Sequence, residues 1–134
     1  MNFIAKRILA GQDLRKAIQE LVSDNSISAG FVASAVGSLS DVRIRLAGAQ
    51  EYYSEVGEFE IVCLQGTVSI HGCHLHLAAA DASGQVVGGH LEEGCVIRTT
   101  CELVIVSSTT TEFRRLPDHD TGFKELRVED LPGA

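Results

Sequence analysis

From Leu14 the apolar residues Leu14, Ala17, Ile18, Leu21 and Val22 recur at steps of three and four, the spacing of one helix face. They predict an amphipathic helix over "LRKAIQELVSDN", with Asp13 as a plausible N-cap. Elsewhere the period is two, or the apolar run is nearly unbroken. "FIAKRILAGQD" reads as a strand ending at Gly11. "AGFVASAVGSLSDVRIRL" reads as a long strand in which Gly37 marks a bulge or a close backbone approach, with a break at Ser40-Asp41. The segment Tyr52 to Gly57 is polar and turn-like, and "EFEIVCLQGTVSI" then alternates as a strand bent near Gly66. "HLHLAAAD" is a further strand. "DASGQ" supplies the turn of a hairpin into "VVGGHL", and "CVIRTTCELVIVSS" has the continuity of a central strand. After Thr109 the chain turns polar, and "LPDHDTGFKELRV" reads as a surface loop with a short terminal strand.

One helix among many strands joined by short turns predicts an α+β fold. We expect a single domain over residues 1–134, mainly antiparallel β-sheet with a packed N-terminal amphipathic helix. With 45% apolar and 22% charged residues, the chain has the balance of a folded domain rather than a disordered one. No apolar run reaches the ~20 residues that span a bilayer, and the first residues lack a signal-peptide core, so a soluble, cytoplasmic protein is expected.

The net charge of −7 has the wrong sign for a surface that attracts nucleic-acid phosphates. Arg43 and Arg45 share one strand face by alternation, which reads first as a solvated face. Cys63, Cys73, Cys95 and Cys101 lie in strand-like runs with no CxxC pair, as buried thiols do. Cys73 adjoins His74, but neighbours in a strand point to opposite faces, so the two do not readily reach one ion. The chain holds no GxGxxG, P-loop, GxSxG or HExxH pattern, which removes the common nucleotide and hydrolase signatures.

Candidate chemistry is concentrated in "CHLHLAAADASGQVVGGHL". His74 and His76 project from one face of a strand, about 6–7 Å apart along the chain. Folding back about Ser83-Gly84 brings Val87 to Leu91 beside Cys73 to Leu77, so His90 approaches the pair from the adjacent strand. Three neutral imidazoles suit Zn²⁺ and leave a fourth position for water or a substrate group. Gly88 and Gly89 make room for a backbone or a ligand, or form a plain bulge. The competing reading has His74 and His76 lining a solvated face and His90 capping a turn. His71 falls on the opposite face and His119 lies in an acidic loop, so neither joins the set.

Glu102 is a carboxylate in a strand that otherwise looks buried. It is a candidate to orient a ligand histidine or to act as general base on metal-bound water; the alternative is an ion pair with Arg98 or another arginine.

"GEFEIVCLQGTVSI", "HLHLAAADASGQVVGGHL" and "GCVIRTTCELVIV", in that order, resemble the plants-and-prokaryotes conserved (PPC) domain family. The segment "DLRKAIQELVSDNSISAGFVASAVGSLSDVRIRL" is similar to its opening and "TGFKEL" to the close of its prokaryotic members. The resemblance implies a homotrimer, and prokaryotic members are described as DNA-binding by relationship to plant proteins whose AT-hooks read A·T-rich minor grooves. No AT-hook core, Arg-Gly-Arg, occurs here, and such reading requires those arginines. The plant Gly-Arg-Phe-Glu-Ile-Leu hexapeptide corresponds to Gly57–Val62 with Glu58 in place of arginine, so its partner choice does not carry over. The resemblance also implies zinc on the histidines of the HxH and GGH segments, which match His74, His76 and His90.

Two function classes follow. The first is a homotrimeric metal-binding module with a DNA-binding or regulatory role by kinship. The alternative is a small zinc-dependent enzyme acting on a compact polar or acyl substrate at the three histidines. A third variant makes the metal a purely structural staple within an interaction scaffold.

Overall fold

A computed structural model describes residues 1–132. The chain runs β1 (Asn2–Leu9), α1 (Leu14–Asp24), β2 (Gly30–Arg45), β3 (Tyr52–Ser69), β4 (Gly72–Ala80), β5 (Val86–Leu91), β6 (Val96–Ser107), β7 (Thr111–Pro117) and β8 (Lys124–Asp130). Six strands form one antiparallel sheet in the order β1-β6-β2-β3-β4-β5, and β7 pairs with β8 apart from it. The sheet partly closes on itself, because the end of β2 also meets β5 through Ile44↔Leu91 and Arg45↔His90. β2 is therefore the hub, touching β3, β5 and β6 along different parts of its length.

The α+β expectation, with a packed N-terminal amphipathic helix as a constituent layer, is corrected. Strands hold 64% of the chain and the single short helix 8%. The fold is mostly antiparallel β, and its β-content fits the PPC fold. The physical reason is that helical periodicity is confined to 11 residues between two strands, while nearly every other buried position is supplied by alternation along hairpins. Within α1, Asp13 accepts a hydrogen bond from Lys16 N at 3.0 Å and, through its other oxygen, from Gly94 N at 2.6 Å, tying the helix start to the turn before β6.

Three local differences have simple causes. β3 begins at Tyr52 rather than after Gly57, because Tyr52 to Val56 pair with Arg45 to Asp41 and a paired strand need not be apolar where it faces outward. Ser40-Asp41 does not break β2; the register against β3 and β6 shifts between Leu39 and Asp41 instead, which is a bulge. Thr111–Pro117 is a strand, hidden in the sequence by Arg114 and Arg115, since β7 needs only β8 and a few hydrogen bonds to stay extended. Those bonds include Phe113 N to Ser28 O at 2.9 Å and Ser69 Oγ to Phe113 O at 2.9 Å.

Two glycines are obligatory for packing. A Cβ at Gly37 would overlap the Thr100 carbonyl, and one at Gly66, whose φ is 148°, would overlap that of His74. Among the described residues no helix is long and apolar enough to cross a membrane.

Candidate metal centre

In β4 the inward residues Leu75, Leu77 and Ala79 are buried while His74 and His76, which alternate with them, face out. Period-two alternation alone therefore puts both imidazoles on one side. The β4–β5 connection is shaped by Asp81, whose Oδ1 accepts from Ser83 N at 2.8 Å, Ser83 Oγ at 2.7 Å and Gln85 N at 3.0 Å, with Gly84 at a φ of 85°. That turn sets the register in which His76 lies directly opposite His90. Gly89 permits it: a Cβ there would stand 2.5 Å from the Arg45 carbonyl, so this glycine serves a close backbone approach of β2 to β5, while Gly88 faces Leu77 and Ala78 of β4.

The structure brings His74, His76 and His90 together. Ring centroids are 4.9, 5.3 and 5.7 Å apart, and one nitrogen from each ring lies within 4.8 Å of the others. The Nε2 atoms of His74 and His76 are 3.1 Å apart. Two nitrogens bound tetrahedrally to zinc stand about 3.3 Å apart, given arms of ~2.0–2.1 Å, so this pair already has the required edge. Without a metal the same contact is a hydrogen bond between one protonated and one bare nitrogen.

His90 Nδ1 is buried and has no hydrogen-bond partner, an orphan that a cation or a water would satisfy. Burial is the main force lowering the His74 pKa, followed by the neighbouring His76 and Arg115. His90 is pushed down to about 4, again chiefly by burial and then by Arg45 and Arg15. Both rings are therefore neutral near pH 7, the form that donates a lone pair to a metal. Donor type, spacing and protonation all fit a single divalent cation.

The other sequence candidates lie elsewhere. Glu102 is exposed on β6, opposite Arg7 of β1 and Val36 of β2, and does not line the cavities at the histidines. Its expected burial failed because β6 alternates: Cys101 and Leu103 take the core face and Glu102 the other. Arg98 pairs with Glu58, not with Glu102. His71 Nε2 sits 2.7 Å from Glu112 Oε1, outside the cluster, and His119 is exposed between β7 and β8. Cys73 lines a cavity at the site but is not among the converging donors.

Sequence reasoning missed the surround. A cavity of about 460 Å³ opens beside His74 and His90, walled on one side by Arg45, Ala47 and Ala49 and on the other by Arg115, Phe123 and Glu125 of the β7–β8 hairpin. A second cavity of about 390 Å³ joins Thr67, His74 and His76 to Arg115 and Glu125. No local signal links those segments to the histidines, because their proximity is created by the β2–β5 closure and the docked hairpin.

The model of the Plants and Prokaryotes Conserved (PCC) domain matches residues 1–109. A bifunctional protein GlmU from Synechococcus sp. (strain JA-3-3Ab) is 45% identical over 128 residues, which is 96% of this chain and 21% of that protein. The chain thus spans about a fifth of the length of the curated relatives it matches. A hypothetical protein from Salmonella enterica has a solved structure similar to this one at a TM-score of 0.94 and 40% identity, covering 96% of this chain and 94% of its own. A metal-containing protein from Archaeoglobus fulgidus is similar at a TM-score of 0.77 and 26% identity, covering 95% and 94% respectively.

Proposed function

The chain belongs to the Plants and Prokaryotes Conserved domain family, and from that premise we propose that it is a metal-binding module of one domain in which His74, His76 and His90 hold one Zn²⁺. The observation that carries this reading is the convergence of three ring nitrogens within 4.8 Å on a turn-fixed hairpin. The similarity to a metal-containing archaeal protein supports it. Bound there, zinc would supply a Lewis-acidic position open to a further ligand. The protein's part is to hold three neutral imidazoles in place through the Asp81 turn and the β2–β5 contact.

Assembly as a homotrimer is part of the same proposal. Phe3 of β1, Val106 of β6 and Phe31 of β2 lie in register across three strands, and Phe3 and Phe31 are 75% and 48% exposed, an apolar row that self-association would cover. The −7 charge argues against direct contact with DNA, and Arg43, which stacks over Tyr52 at 5.0 Å, and Arg45, turned to the histidine cavity, do not form a joint patch for a nucleic-acid backbone. The zinc-dependent enzyme is the weaker reading, since Glu102, its candidate base, stands away from the metal ligands.

The test is zinc content per chain, with mass in solution, for the purified protein and for His76→Ala and His90→Ala. We expect about one zinc per chain, lost in both variants. A protein that takes up no divalent metal, or variants that keep it in full, would overturn the reading. Loss of metal with retained assembly identifies a working site; loss of both identifies a staple.

A further inference from the structure

We propose that the cavity beside the three histidines binds a small organic anion, a carboxylate or a phosphate ester, clamped by Arg45 and Arg115. The proposal deepens the metal reading, because the same cavity would deliver the ligand to the open side of the metal. It stands, however, on groups that the metal does not need.

The cavity of about 460 Å³ is lined by three permanent cations, Arg45, Arg115 and Lys124, against one carboxylate, Glu125. It is a positive enclave on a chain whose net charge is −7. A random grouping on so acidic a chain would run the other way.

The arginines are incompletely used. Arg115 is half-buried and donates through Nη2 to Thr67 Oγ1 at 2.5 Å, a neutral partner. Among the described residues it pairs with no carboxylate. Arg45 meets Glu92 only at 4.0 Å, the outer limit of an ion pair, with its side chain 28% exposed. A guanidinium withdrawn from water keeps several N–H donors to satisfy, and its planar fork matches the two oxygens of a carboxylate or phosphate. The space for Arg115 is itself built, since Gly72 leaves room where a Cβ would press on the Arg115 side chain at 3.3 Å.

Ala47, Ala49 and Phe123 add an apolar wall, which favours an anion with a hydrocarbon part over a bare inorganic ion. The two sides of the clamp differ in origin. Arg45 ends β2, within the part of the chain that the family model covers; Arg115, Phe123 and Lys124 come from β7–β8, beyond residue 109. The hairpin thus furnishes one side of the pocket.

The experiment is calorimetric titration of the full chain, zinc-loaded and after chelation, with benzoate, phenyl phosphate and the neutral isostere benzamide, zinc content being measured on every sample. Saturable binding of one or both anions is expected, with benzamide at least about tenfold weaker, and with Arg115→Gln and Arg45→Gln each losing about tenfold. Arg114→Gln, whose side chain pairs with Glu112 and Glu129 outside the cavity, should bind like the parent. Comparing the two anions identifies whether carboxylate or phosphate is preferred. If Arg45→Gln does not fold, Arg115→Lys gives the same reading, because a point charge lacks the fork. Equal binding of benzamide, no saturation by either anion, or unchanged affinity in the folded arginine variants would overturn the proposal. Arginine-dependent anion binding without zinc uptake would sink the metal reading and leave this one standing; zinc uptake without it would do the reverse.

Discussion

Burial decides which titrating residues are reactive. Cys95 and Cys101 are fully buried, and their thiols are pushed up to about 11, mainly by desolvation. Cys95 Sγ also lies 3.2 Å from both Arg43 N and Arg43 O. Neither forms much thiolate at pH 8, so iodoacetamide should leave both unmodified in the folded protein and alkylate them after unfolding, as read by peptide mass. The same desolvation acts with the opposite charge sign on His90. Unfolded, its ring takes a proton below its ordinary 6.5; folded, it resists protonation down to about 4. The unfolded state binds more protons in that window, so stability present above pH 6.5 is lost as the pH falls toward 4. In chelated protein, urea midpoints should drop between pH 7 and pH 5, and the drop should be smaller in His90→Gln.

The strands and their turns position the donors, and single backbone atoms set the tolerance. Gly88 and Gly89 adjoin His90 but differ: a Cβ at Gly88 would be 3.2 Å from Leu77 O, while one at Gly89 would be 2.5 Å from Arg45 O. Gly89→Ala must therefore push β5 off β2, with a cost of roughly 1–3 kcal/mol and weakened zinc affinity; Gly88→Ala should cost less, by urea denaturation and metal titration. Asp13 joins α1 to the turn before β6 through both carboxylate oxygens, so Asp13→Ala should lose about 1–2 kcal/mol in the same denaturation assay without altering metal content. At this scale much was legible. Period two placed His74 with His76, and the Asp81–Gln85 turn chemistry returned His90 to them. What failed was polar strand: Tyr52 to Gly57 and Thr111–Pro117 have no apolar stripe, because their outward sides need none.

For the molecule as a whole, the β7–β8 hairpin has no fully buried side chain and is docked mostly by hydrogen bonds and ion pairs. A chain ended at Thr109 should keep the six-stranded sheet and its zinc while losing anion affinity, measured by circular dichroism, metal content and calorimetry. The apolar row across β1, β6 and β2 makes a separate prediction. Phe31→Asp should lower the mass in solution to that of a single chain by light scattering, with little change in metal content, because burying a charge in an apolar contact is costly. An unchanged mass would remove that face from any interface.

Local pattern determined the strands that carry the histidines, the helix cap at Asp13 and the grouping of His74, His76 and His90, since side-chain alternation and turn preference act over a few residues. It overstated the helix, because an 11-residue stripe is conspicuous in sequence yet small beside eight strands. Only the tertiary structure decided that Glu102 faces away, that β2 closes on β5 at Arg45 and His90, and that Arg115 reaches the same cavity. Those outcomes depend on contacts between segments dozens of residues apart, which no local periodicity encodes.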